Sequence, residues 1–111
     1  MALDFTHKKG DTFEEVNFQM LVNNNPLNLT GATLRMQLRK EYGGIVFLSL
    51  TSVANAGITI TTPLNGLFKI NKQIINIDSA NYIYDIELTK ADGTVKTYIN
   101  GNFLISNDIT R

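Results

Sequence analysis

Few side chains in this sequence are fit for acid–base or metal chemistry, and their spacing limits what they can do. His7 is the only histidine. As the base of a Ser–His–acid arrangement it would need a serine nucleophile, and no Gly-x-Ser-x-Gly elbow is present. It stands in a polar N-terminal segment beside Lys8 and Lys9, which reads as an exposed surface histidine. Glu14 and Glu15 are adjacent, so on a strand they point to opposite faces and cannot share a substrate. Asp85 and Glu87 are two apart and share a face, as paired carboxylates must for acid–base work or calcium binding. If an Asp92-Gly93 turn closes a hairpin, this pair lies opposite Lys96 or Thr97 and becomes a wet strand face with cross-strand charge pairs. Asp78 with Asp85 or Asp92 lacks the tight ligand spacing of a calcium loop. Gly43-Gly44 is a turn, not a phosphate cradle, and no cysteine supplies a disulfide or a thiolate metal site. The residues therefore predict no catalytic group, no metal and no cofactor.

Aromatic side chains are the other candidates. Most of Phe5, Phe13, Phe18, Phe47, Phe68, Phe103, Tyr82 and Tyr84 are expected in a core, where they supply much of the buried area. Tyr42 and Tyr98 are expected at the surface. With nearby Asn100 they form the candidate interaction residues, the kind of aromatic–amide grouping that stacks on and hydrogen-bonds a sugar. The absence of tryptophan weakens that reading.

The elements that must carry these residues are strands. Leu34, Met36 and Leu38 alternate with Arg35, Gln37 and Arg39; Tyr84, Ile86 and Leu88 alternate with Asp85, Glu87 and Thr89. Period-two alternation gives each strand one face to bury and one to wet. Residues 12–22 read as one long strand with Phe18, Met20 and Val22 on a face. Asn23-Asn24-Asn25-Pro26 reads as a loop, since Pro26 has no amide for a ladder. Strands follow at 32–39 and 45–50, joined at Tyr42-Gly43-Gly44, then at 58–61 and 67–70, joined at Pro63-Leu64-Asn65-Gly66. Lys72 to Ile77 breaks the rhythm and fits a strand or a helical turn. Strands at 82–89 and 95–105 are joined at Ala91-Asp92-Gly93-Thr94, with a bulge or bend at Asn100-Gly101. Leu3 to Thr6 reads as a short first strand or as part of an arm over 1–9, Lys8-Lys9-Gly10-Asp11 as a turn, and 106–111 as a polar tail. The expected fold is all-β: one antiparallel β-sandwich over 1–111, immunoglobulin-like or related, with seven to nine strands spaced about 8 to 12 residues apart.

Composition narrows the partners. The 111 residues carry a formal net charge of zero, and 18% of them are charged. Nucleic-acid binders show a basic excess or stripe, whereas the bases here are scattered. No run approaches the roughly 20 apolar residues of a membrane-spanning helix. The N-terminus lacks the basic and apolar regions of a signal peptide, which predicts folding in a cytoplasm.

The order of motifs resembles a known group. Gly10-Asp11-Thr12-Phe13 comes first, then Pro26-Leu27-Asn28-Leu29-Thr30-Gly31-Ala32-Thr33-Leu34-Arg35-Met36-Gln37-Leu38-Arg39. Gly57-Ile58-Thr59-Ile60, Gly66-Leu67-Phe68, Tyr84-Asp85-Ile86-Glu87-Leu88 and Asp92-Gly93-Thr94-Val95 follow. The chain ends with Gly101-Asn102-Phe103 through Asp108-Ile109-Thr110-Arg111. This series resembles the small β-sandwich virion proteins of tailed bacteriophages and prophages, and is similar to the N-terminal domain of phage baseplate upper proteins. The resemblance implies a non-enzymatic virion building block in tail, baseplate, fibre attachment or head decoration. Its partners would be other virion proteins and its own copies, and it would be made in the host cytoplasm. It carries over no catalytic residues, and the stem and receptor-binding parts of the baseplate proteins have no counterpart in these residues. The competing expectations are a carbohydrate-binding module for host surface glycans, a glycosidase fragment with two converging carboxylates, and a secreted adhesin.

Overall fold

Alternation places the apolar residues of four long strands on one face, and that face organises the fold. The computed structural model describes residues 2–107 and residue 109. The polar tail and the Asp108–Arg111 ending therefore lie outside the described residues, apart from Ser106, Asn107 and Ile109. The twelve strands are β1 (Phe5–Lys8), β2 (Thr12–Phe13), β3 (Val16–Gln19), β4 (Leu21–Val22), β5 (Asn25–Pro26), β6 (Thr33–Arg39), β7 (Val46–Thr51), β8 (Ile58–Thr62), β9 (Leu67–Ile70), β10 (Gln73–Ile74), β11 (Ala80–Thr89) and β12 (Val95–Ser106). Pro63–Asn65 forms one 3-10 turn, and no α-helix occurs among the described residues.

The protein is all-β. Its central sheet has five strands in the order β1-β12-β11-β6-β7. Three smaller sheets accompany it: β3-β9-β8, β10-β2 and β4-β5. Leu34, Met36 and Leu38 of β6, Tyr82, Tyr84, Ile86 and Leu88 of β11, and Ile99, Phe103 and Ile105 of β12 are all buried. They join Phe13, Leu29, Ile58, Phe68, Ile70 and Ile75 from the smaller sheets and their loops in one apolar cluster. An aromatic group ties the N-terminal strands to β12: Phe103 lies 5.2 Å from Phe5 and 5.7 Å from Phe13, centroid to centroid. Phe18 stacks on Phe68 at 4.9 Å.

Some expectations need correction, and two left open, at 72–77 and at the N-terminus, are decided in favour of a strand. The strand expected over 12–22 is three strands, because the chain changes partners twice: β2 pairs with β10, β3 with β9 and β4 with β5. Met20 is buried between the last two, while Val22 is exposed. The Asn-rich loop is a tight hairpin. Asn23 and Asn24 both have positive φ, 52° and 65°, which matches the right-handed twist of the flanking strands and lets Leu21 face Pro26. Pro26 is tolerated because that pair is short and exposed. Residues 72–77 contain β10, a strand. The N-terminal segment is also a strand, and β1 runs parallel to β12, from Phe5 beside Phe103 to Lys8 beside Ser106. The sheet is thus mixed, not purely antiparallel. A parallel pair needs a long connection, and here nearly the whole chain supplies it. His7 lies in β1 and is buried, not exposed: its Nε2 is 3.0 Å from the Asp11 carbonyl oxygen, and its ring meets Phe13 edge-on.

Candidate functional site

The wet face of the central sheet gathers the polar residues of four strands into rows. Register places Thr51, Arg35, Glu87 and Thr97 across β7, β6, β11 and β12. The next row is Ser49, Gln37, Asp85 and Asn100, and the third is Val46, Arg39, Ile83 and Asn102. Directly opposed side chains in such rows stand about 5 Å apart. A bulge in β12 sets this pattern. Ile86 faces Ile99 and Glu87 faces Thr97, so Tyr98 is the extra residue between them. The bulge sits two residues before the expected Asn100-Gly101 position.

Two walls turn the rows into a cleft of about 620 Å³. One wall is the β6–β7 hairpin, with Tyr42 93% exposed at the rim. The other is the N-terminal segment at Ala2 and Asp4. That segment is strapped down: the Leu3 amide donates to the Asn100 carbonyl at 2.8 Å, and the Asn102 amide donates to Asp4 Oδ1 at 2.9 Å. The Tyr84 hydroxyl, on the strand paired with Gly101, donates to the Leu3 carbonyl. Gly101 makes the crossing possible, since a Cβ there would lie 2.1 Å from the Leu3 carbonyl oxygen.

Charges in the cleft are partly matched. Arg35 Nη2 lies 3.0 Å from Glu87 Oε1. Glu87 lies opposite Thr97 on β12, as expected, and its charge partner is this arginine on β6. The pair is half exposed, so it adds little stability. Arg39 donates to the Gly44 carbonyl and, at 3.0 Å, to Gln37 Oε1. Asp85 stands between Gln37 and Asn100 with no ion-pair partner among the described residues. Asp85 and Glu87 thus share a face, but Glu87 is engaged by arginine. No group of three His, Cys, Asp or Glu residues among those described could hold a metal ion.

Of the three candidate interaction residues, Tyr42 and Asn100 line the cleft and Tyr98 does not. Tyr98 is half-buried against the core, contrary to the expected exposure. Gln37, Asn102 and Asp4 were missed as members of this surface, whereas Asp85 was expected on a wet face with Glu87, without its neighbours Gln37 and Asn100. The alternation of 35–39 and of 83–87 already places their polar side chains on single faces. The pairing that brings those faces together, and the N-terminal wall, leave no mark in the local pattern.

Burial beneath the cleft affects two phenols. Desolvation, with the Asp4 carboxylate second, pushes the Tyr84 hydroxyl up to about 12. Desolvation and then Asp78 raise Tyr82. An unfolded tyrosine titrates near 10. Below about pH 10 both states hold the proton, and this contribution to stability is complete. Between about 10 and 12 the unfolded chain ionises first, so stability falls as pH rises through that window. Denaturant midpoints measured across it should drop for the wild type and drop less for Tyr84→Phe.

A second surface lies along the sheet edge. β7 reads Val-Phe-Leu-Ser-Leu-Thr, without a charge or a proline. Ile45 is 76% and Val46 36% exposed beside it. The Thr51 amide points away from β6, donating to the Ala56 carbonyl. By alternation the Ser49 backbone also points outward. There the edge opens on a gap of about 480 Å³ lined by Asn55, Gly57, Asn71 and Gln73.

No helix among the described residues is long and apolar enough to cross a membrane. Compared with known families, curated proteins and solved structures, the chain matches none.

Proposed function

We propose that this chain is a non-catalytic structural module of a tailed-bacteriophage virion, acting through contacts with its own copies and with other virion proteins. In this reading the smaller sheets together form the second layer of a β-sandwich over the five-stranded sheet. The observation that carries the proposal is the outer edge of β7 before Thr51, Thr51 itself being bridged to Gly57. Sheet edges that must stay unpaired carry lysine, proline or inward charge, and this one carries none. Its outward backbone groups at Ser49 face a gap of about 480 Å³, and outward-facing backbone at an edge is what strand addition uses. Exposed Ile45 and Val46 beside the edge add apolar area that a neighbour would cover. The low charge leaves little to desolvate on docking, and the motif order from Gly10-Asp11 to Gly101-Asn102-Phe103 supports the virion assignment. Tail, baseplate, fibre attachment and head decoration all use such repeated contacts.

Sedimentation velocity over a rising concentration series tests the self-contact. The wild-type chain is expected to shift to larger species, while Ile45→Lys combined with Val46→Lys stays monomeric with an unchanged circular dichroism spectrum. A wild type that remains monomeric at millimolar concentration, and captures no protein of a disrupted virion, contradicts the proposal.

A further inference from the structure

We infer that the cleft on the wet face of the central sheet is a binding site for a neutral oligosaccharide, a role independent of the edge contacts proposed above. Charge sets the class of ligand. Arg35 is paired with Glu87, and the lining sets Arg35 and Arg39 against Asp4, Asp85 and Glu87, so the cleft carries an acidic excess that disfavours an anionic ligand. What faces the cleft centre is Gln37, Asp85 and Asn100 in one cross-strand row. Each side chain ends in a planar fork of two polar atoms. Together they offer donors and acceptors side by side, as adjacent hydroxyls of a sugar require, and the Asp85 carboxylate accepts two hydroxyl hydrogens at once.

Tyr42 completes the site. It is 93% exposed at the rim, so its ring face is free to cover the apolar face of a pyranose. The volume of about 620 Å³ lies within the range of small-molecule clefts. A peptide is the poorer occupant. The floor is a sheet face whose backbone groups already pair within the sheet, so it offers no edge for strand addition. Ile83 is the one large aliphatic side chain among the described residues that line the cleft, so hydrophobic anchors find no pocket there. The strapped segment at Leu3–Asp4 fixes one wall before binding, which reduces the ordering cost.

The test uses the intact, isotope-labelled chain titrated with maltotriose, cellotriose, lactose and N,N′-diacetylchitobiose, with sialyllactose as the anionic comparison. At least one neutral probe should shift amide resonances of β6, β11 and β12 around Gln37, Asp85 and Asn100. Tyr42→Ala and Asp85→Ala should each weaken that binding at least tenfold, whereas Ile74→Ala, on the exposed part of β10, should not change it. Both test positions are exposed, so the variants keep the wild-type spectrum elsewhere. The inference fails if no neutral probe shifts these resonances at millimolar concentration. It also fails if only sialyllactose does, or if the two cleft variants bind as the wild type does.

Discussion

Phe103→Ala is expected to destabilise the protein by about 4 kcal/mol, lowering the melting temperature by roughly 20 °C. Phe103 is 1% exposed on β12. Its ring meets Phe5 of β1, Phe13 of β2 and Tyr84 of β11. Removing it leaves a cavity shared by four strands from distant parts of the sequence, and a paired sheet cannot collapse to fill such a gap. Small domains are stable by about 5 to 15 kcal/mol, so the variant would sit near the threshold of folding. Thermal unfolding followed by circular dichroism measures this directly. A loss under about 1 kcal/mol would mean that the aromatic group does not hold the N-terminal strands to the sheet.

The second large effect is expected at Gly66. Its φ is +70°, which an L-residue adopts at a cost of about 1 to 2 kcal/mol. A Cβ there would also lie 2.6 Å from the Met20 carbonyl oxygen and 2.9 Å from that of Leu27. Both are backbone atoms held in place: the Leu27 amide donates to Met20 at 2.9 Å, and the Met20 amide donates to Gly66 at 2.9 Å. Displacing them weakens bonds worth about 1 kcal/mol each, so Gly66→Ala should cost about 3 kcal/mol in all. Gly93→Ala isolates the conformational part, because Gly93 has a φ of +91° but nothing within 4 Å of a Cβ. Equal losses for the two variants, read from urea midpoints, would show that the segments around Gly66 give way freely.

These sites show what local sequence encodes and what it does not. Tyr84, Ile86 and Leu88 alternate with Asp85 and Glu87, and the structure buries the first set while leaving the second on the wet face, as period two requires. The turns at Asn65-Gly66 and Asp92-Gly93 were legible because left-handed backbone favours these residues. The crowding around Gly66 was not, since the Met20 and Leu27 carbonyls arrive from a segment about 40 residues away. Partner choice was also hidden: residues 12–22 alternate well enough to read as one strand, yet three different neighbours claim them. His7 sits beside two lysines and looks solvated, but pairing β1 with β12 buries it. For the cleft, sequence supplied Tyr42 and Asn100 by residue type. Gln37 and Asp85 join them only through register across β6, β11 and β12.

The reading of this chain as an assembly module rests on β7 being an edge made to be paired. Amide hydrogen exchange measured residue by residue at low and at high protein concentration examines that edge itself. Protection should rise with concentration at the outward Ser49 amide and its neighbours in β7, with no change at the Lys8 end of β1. Exchange at Ser49 that is independent of concentration, alone and with disrupted virions added, would contradict the account.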